Sequence, residues 1–237
     1  NSPKVAAYRA PGAPNAALGV ECAVDELAEK LGMDPMAIRE KNAVRNGVRA
    51  PYGPVYKNIG YVETLEAIKS HPHMSIPLGP NQGRGIAAGF WFNIGGESTV
   101  NVSINEDGTA IVSTGSPDIG GSRASMAMMA AEVLGIGVDQ VRPIVADTAS
   151  IGFSTVTGGS RTTFATGMAV VQAAEKLVTD MKRRAAETWG VEIDQVVWQD
   201  GAAHCLQAEK APKGALTLAA LAGSAGKTGG PIATVVA

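Results

Sequence analysis

The stretch Val100-Asn101-Val102-Ser103-Ile104-Asn105-Glu106-Asp107-Gly108-Thr109-Ala110-Ile111-Val112-Ser113-Thr114 decides the fold class. Val100, Val102 and Ile104 share one phase of a period-two pattern, and Ala110, Val112 and Thr114 repeat it after a turn. Side chains alternate across a strand, so each run offers one apolar face. Asp107-Gly108 supplies residues that tolerate positive φ, and the whole reads as a β-hairpin. Working outward, Ile86, Ala88, Phe90 and Phe92 alternate in the same way and predict another strand. Val141 to Ala146 predicts one more, a weaker strand is expected around Val196 to Trp198 before a turn at Asp200-Gly201, and residues 229–237 turn strand-like at the end.

Helical patterns alternate with these strands. From Pro14 to Lys30, Ala17, Val20, Val24, Leu27, Ala28 and Leu31 recur at three- and four-residue steps, and Gly32 supplies a stop. Asp34-Pro35 reads as an N-cap with Pro at the first helical position, opening a helix to about Asn42. Shorter or later helices are expected over Val62 to Lys69, from Ser122 to about Leu134 with Gly135 as stop, over Thr163 to Trp189, and near Leu216 to Leu221. Hairpins beside strand-helix-strand units favour an α+β fold, with mixed and antiparallel strands packed against several helices, over a doubly wound sheet. Residues 43–82 hold many Pro and Gly, so the expected division is a helical segment with connector over 1–82 and an α+β domain over 83–237.

Composition narrows the function classes. The 237 residues are 45% hydrophobic and 18% charged, a balance that suits a folded globular chain. No run approaches the roughly 20 apolar residues of a membrane-spanning helix. Lys plus Arg 20 against Asp plus Glu 22 leaves a net charge of −2, which gives no electrostatic reason for nucleic acid or an anionic membrane as partner. Two distant cysteines, Cys22 and Cys205, make neither a disulfide framework nor a Cys-built metal site and suit a reducing compartment, so a cytoplasmic location is expected with the periplasm left open. His71, His73 and His204 are too few and scattered for a metal site. The start at Asn1 and the strand-like end read as a fragment of a longer protein.

Gly-Gly-Ser-Arg occurs twice, as Gly120-Gly121-Ser122-Arg123 and as Gly158-Gly159-Ser160-Arg161, each just ahead of a helix. A third loop, Tyr8-Arg9-Ala10-Pro11-Gly12-Ala13-Pro14-Asn15, also runs into a helix start with an Arg and a Gly. Helix N-termini present unpaired N–H groups with partial positive charge, and glycines let an anion come close. A Ser hydroxyl and an Arg fork would add donors suited to phosphate. An ordinary loop with a Ser cap is the alternative reading of each one. Together the three look built to surround a large phosphate-bearing anion, although none has the Lys of a Walker A loop or the dinucleotide fingerprint. Ser160 has no adjacent His or Lys to activate it as a nucleophile, and Asp118 and Asp147 read as loop braces.

The same residues resemble the molybdenum-cofactor-binding large subunit of the xanthine dehydrogenase and aldehyde oxidase class of molybdenum hydroxylases. Ala7-Tyr8-Arg9-Ala10-Pro11-Gly12-Ala13-Pro14-Asn15, with Glu21, Asp25-Glu26-Leu27-Ala28 and Leu31-Gly32-Met33-Asp34-Pro35 after it, resembles the family's Arg-containing loop. Asp118-Ile119-Gly120-Gly121-Ser122 with Ala130 to Ile136 resembles a second loop, and Asp147-Thr148 with Thr157-Gly158-Gly159-Ser160-Arg161-Thr162-Thr163 a third. The resemblance implies molybdopterin carrying molybdenum, with the pterin ending in a phosphate or a cytosine dinucleotide. It puts Arg9 beside the metal, orienting or polarising substrate. Gly12, Gly120, Gly121, Ser122, Thr157, Gly158, Gly159, Ser160, Arg161, Thr162 and Thr163 are then the expected cofactor-binding residues. The implied reaction is hydroxylation of an aldehyde or N-heteroaromatic small molecule. Electrons would leave through iron–sulfur and flavin units on partner subunits or domains, with the remainder of the large subunit as a further partner.

Three departures accompany the resemblance. Gly121 stands where the family usually has Gln, and Ala10 where its carbon monoxide dehydrogenases have Cys. The family's base, a downstream Glu, and a further upstream cofactor loop are both expected outside this chain, which predicts that the chain alone is inactive. A non-catalytic module that binds or assembles a phosphorylated cofactor is the alternative function.

Overall fold

The hairpin forms where the alternation puts it. In the computed structural model, which describes residues 8–91, 94–211 and 214–236, β1 (Val100–Ile104) pairs antiparallel with β2 (Ala110–Thr114), and Val100 faces Thr114. Of the turn pair only Gly108 takes a positive φ, 85°. Asp107 instead turns its carboxylate to accept the Thr109 N–H at 2.9 Å, which completes a turn closed by a left-handed Gly.

β3 (Val141–Val145) joins β2 in parallel, and the chain reaches it through α4 (Ser122–Leu134). β7 (Ala233–Val236) joins β1 antiparallel, giving the order β3-β2-β1-β7. The longest helix, α5 (Gly167–Trp189), packs with α4 over a core of Val100, Val102, Val112, Leu134, Leu177 and Met181. A Cβ on Gly167 would lie 2.6 Å from Met129 Sδ, so this glycine leaves room for the Met129 side chain where the two helices meet. A second, antiparallel sheet of β4 (Val196–Gln199), β5 (Ala202–Cys205) and β6 (Leu216–Thr217) precedes α6 (Leu218–Gly223). Asp200 and Gly201, both left-handed, make the tight turn between β4 and β5.

The chain divides into two compact units, residues 1–91 and 92–237. The first holds α1 (Ala13–Leu31), α2 (Pro35–Asn42) and α3 (Tyr61–Ser70). Asp34 caps α2 as its sequence suggests, accepting from the N–H groups of Met36 and Ala37 at 2.8 and 3.0 Å. Buried Arg39 ties α2 to α1 through Glu21 and Asp25 at 2.7 and 2.9 Å.

The strand expected from Ile86 does not form over 86–91. The Ala88 N–H, which a ladder would need, donates to the Glu21 carboxylate at 2.7 Å, while Arg84 donates to the carbonyls of Met74 and Ile76. These bonds keep the segment with the helices, so the division falls after Trp91 rather than at residue 82. Asn1, Ala7, Phe92 and Ala237 lie outside the described residues. No helix among the described residues is long and apolar enough to cross a membrane.

Candidate functional site

Strand register gathers the second and third glycine loops at one end of the main sheet. Thr114 faces both Val100, where β1 begins, and Val145, where β3 ends. Residues 94–99, the loop after β2 and the long loop after β3 therefore leave the sheet from the same end.

In the second loop Gly120 and Gly121 have φ of 67° and 81°, and a Cβ on either would meet nothing within 4 Å. Gly121 ends this left-handed pair as the N-cap of α4. Asp118 braces the loop, accepting from Arg123 N and Arg123 Nε, both at 3.1 Å. The Arg123 backbone N–H, ahead of its guanidinium and the Ser122 hydroxyl, holds the Asp118 carboxyl below the usual carboxylate range. Ser122 itself is buried and its hydroxyl turns back to Pro117 O and Asp118 Oδ1, so it supports the loop from beneath.

The third loop has the left-handed pair Gly159 and Ser160, with φ of 66° and 58°. Above Gly158 there is open space, and its φ is ordinary. Above Gly159 there is none: Ile94 Cγ1 would lie 2.6 Å from an added Cβ. Thr157 Oγ1 and Thr162 Oγ1 are buried without a hydrogen-bond partner. Thr163 is exposed, and Thr162 shares a small cavity with Ser116, Ser122, Arg123 and Thr166, which brings the two loops to one place.

Arg161 corrects a sequence expectation. A guanidinium offered to phosphate has to face outward, yet this one is 1% exposed and donates to the carbonyls of Gly95, Gly96, Glu97 and Thr155 and to Ser98 Oγ. Its fork is consumed inside the protein. The same tetrapeptide thus has an inward Arg at 161 and an outward, ion-paired Arg at 123.

The first loop lies in the other unit and also has a left-handed pair, Arg9 and Ala10 at φ 48° and 47°, followed by Gly12 at 76° as the N-cap of α1. Neither Arg9 nor Ala10 is Gly, and such residues hold this conformation only where the surroundings enforce it. Tyr8 and Arg9 are exposed, and a Cβ on Gly12 would meet nothing within 4 Å.

Ser98, Ser116, Thr166 and Ile94 were not singled out from sequence. A signal existed for two of them. Ser98 continues the inward phase of Val100, Val102 and Ile104, and Ser116 that of Ala110, Val112 and Thr114, where an apolar residue would be ordinary.

A mixed sheet that sends left-handed glycine loops from one end into helices defines a class of α+β domain. Residues 56–235 match the molybdopterin cofactor-binding domain family, as do residues 1–43. The chain belongs to that family. It is 31% identical over 186 residues to an aldehyde oxidoreductase of Megalodesulfovibrio gigas, covering 73% of this chain and 20% of that one. It is 33% identical over 159 residues to a xanthine dehydrogenase molybdenum-binding subunit of Escherichia coli O157:H7, covering 61% and 21%. Quinoline 2-oxidoreductase from Pseudomonas putida 86 shares the fold at a TM-score of 0.73 and 19% identity, over 93% of this chain and 32% of that one. The chain spans about a fifth of the length of the curated relatives it matches.

Proposed function

We propose that this chain is the part of a molybdenum hydroxylase large subunit that grips the phosphate end of molybdopterin. The observation that carries the reading is the pair of buried, unpartnered hydroxyls, Thr157 Oγ1 and Thr162 Oγ1, on either side of the loop Gly158 to Ser160 with its left-handed pair Gly159 and Ser160. A buried hydroxyl without a partner costs about 1–3 kcal/mol, and an acceptor-rich ligand removes that cost. Open space over Gly158, Gly120 and Gly121 fits the same group. In this reading Gly120, Gly121, Thr157, Gly158, Ser160, Thr162 and Thr163 line the cofactor, Gly159 shapes the loop beneath Ile94, and Ser122 and Arg161 hold the lining in shape; the family resemblance alone adds Gly12.

When bound, the molybdenum-bearing pterin, as the phosphate or the cytosine dinucleotide form, supplies the two-electron oxidation of an aldehyde or N-heteroaromatic carbon. Arg9 orients and polarises the substrate, which its exposed side chain suits. The rest of the large subunit completes the site, iron–sulfur and flavin partners accept the electrons, and the assembly works in the cytoplasm.

Thr157→Val in the complete subunit tests the reading, because it exchanges an unpartnered hydroxyl for a methyl of the same shape. Pterin per folded chain should fall while the melting temperature holds or rises. Unchanged pterin content removes Thr157 from the cofactor and, with it, the main support for the proposal.

A further inference from the structure

Thr166 is fully buried, and its hydroxyl lies 3.0 Å from Ser98 Oγ and 3.0 Å from Ser116 Oγ. Arg161 Nη2 donates to that same Ser98 hydroxyl at 2.5 Å. Ser116 follows β2 and opens the second glycine loop, whereas Arg161 closes the third. One buried row, Arg161, Ser98, Thr166 and Ser116, therefore runs from one loop to the other. One end of the row is tied to the third loop and the residues that cover it, the other to the end of β2 from which the second loop leaves. Arg161 holds Thr155 O and the carbonyls of residues 95–97, and Ser116 N donates to Thr114 Oγ1 at 3.0 Å.

The local backbone makes this meeting possible. An α-helix sets residues three or four apart on one face. Thr162–Thr166 is instead one π-helical turn, in which residues five apart come round together, and Arg161 and Thr166 are five apart. Both reach Ser98 as a result. A π-turn interrupts an otherwise regular helix start, so a specific gain must hold it there.

We propose that Thr166 is a positioning residue that fixes the separation of the second and third glycine loops, so that both grip one phosphate-bearing ligand. This rests on the cofactor reading above. Loops locked before binding lose less conformational freedom when the ligand arrives, which raises affinity without any contact from Thr166 itself.

Thr166→Val removes the hydroxyl at constant shape, and Thr166→Ser restores it. Amide hydrogen exchange of this chain reads the coupling, at Ile94 and Thr155 for the third loop and at Ile119 and Arg123 for the second. Pterin per folded chain in the complete enzyme reads the consequence. With Val, exchange at both loops should rise about tenfold or more while the centres of β1 and α5 stay protected, and pterin should fall. With Ser, both should return to wild type. Unchanged exchange, a change confined to one loop, or equal loss of protection in β1 and α5 overturns the proposal. Exchange that rises at both loops with unchanged pterin keeps the coupling and removes the cofactor reading. Should Thr166→Val not accumulate as folded protein, Ser98→Ala cuts the row on the third-loop side and is read at the same amides.

Discussion

Ile94 sits directly on Gly159: its N–H donates to the Gly159 carbonyl at 2.8 Å, and its side chain fills the place a Cβ on residue 159 would take. Two requirements for glycine coincide there, a φ of 66° and the covering side chain. Gly158, one residue earlier, has neither. Gly159→Ala should cost about 1–3 kcal/mol in denaturant unfolding. Ile94→Ala should recover part of that in the double variant, with a coupling of about 0.5 kcal/mol or more. Gly158→Ala should leave stability within about 0.5 kcal/mol, and its larger relative Gly158→Val should lower pterin content at unchanged folding.

Arg123 and Arg161 stand in identical tetrapeptides and should respond unequally to truncation. Arg123 makes a surface pair with Asp118, worth at most about 1 kcal/mol. Removing Arg161 leaves its carbonyl partners and Ser98 without a donor, so Arg161→Ala should cost about 3 kcal/mol or more. Equal unfolding midpoints for the two variants would contradict the inward placement of Arg161.

For Arg9 the expected effect is on rate rather than on occupancy. Arg9→Ala in the complete enzyme should reduce kcat/KM by about 10²-fold or more, with pterin and molybdenum per chain unchanged. An unaltered kcat/KM would reduce Arg9 to a loop residue.

Part of the acid sensitivity should trace to Asp180. Burial alone would raise its carboxyl, but hydrogen bonds from Arg183 and Arg184 outweigh burial and hold it below the ordinary carboxylate range. A depressed folded value stabilises the protein above about pH 4, the unfolded range of Asp, and that stabilisation is lost as pH falls through the folded value. Asp180→Asn should therefore lower Tm at pH 7 and flatten its decline below about pH 4. Parallel Tm curves for the two proteins would exclude this origin. Arg184 also donates to Gly230 O at 2.6 Å, so the loop leading to β7 should loosen in the same variant.

Regular elements were legible because their signals are local. The Gly32 and Gly135 stops, the Asp34 cap and the Val100 to Thr114 alternation each depend on a few neighbouring residues, and each forms. The alternation from Ile86 failed because a strand also needs a ladder partner, and the Ala88 N–H goes to Glu21, 67 residues away. Site residues divide along the same line. The glycine loops can be seen in sequence, since Gly has a recognisable use. Which way Arg161 points cannot, because Arg123 shares its tetrapeptide and the difference comes from residues 94–98 packing over one loop only. The left-handed pair at Arg9 and Ala10 carries no compositional mark at all.

The buried row through Thr166 also has a sense of direction. Arg161 can only donate, so one lone pair of Ser98 is taken, and the neighbouring cation favours hydroxyl dipoles whose oxygens face it. Either oxygen can donate in the Ser98–Thr166 and Thr166–Ser116 contacts, so the charge biases the row without fixing it, and Ser116 at its far end borders the cavity that Thr162 shares. A charge sealed behind the third loop thereby has a polarisable path, hydroxyl by hydroxyl, to the foot of the second.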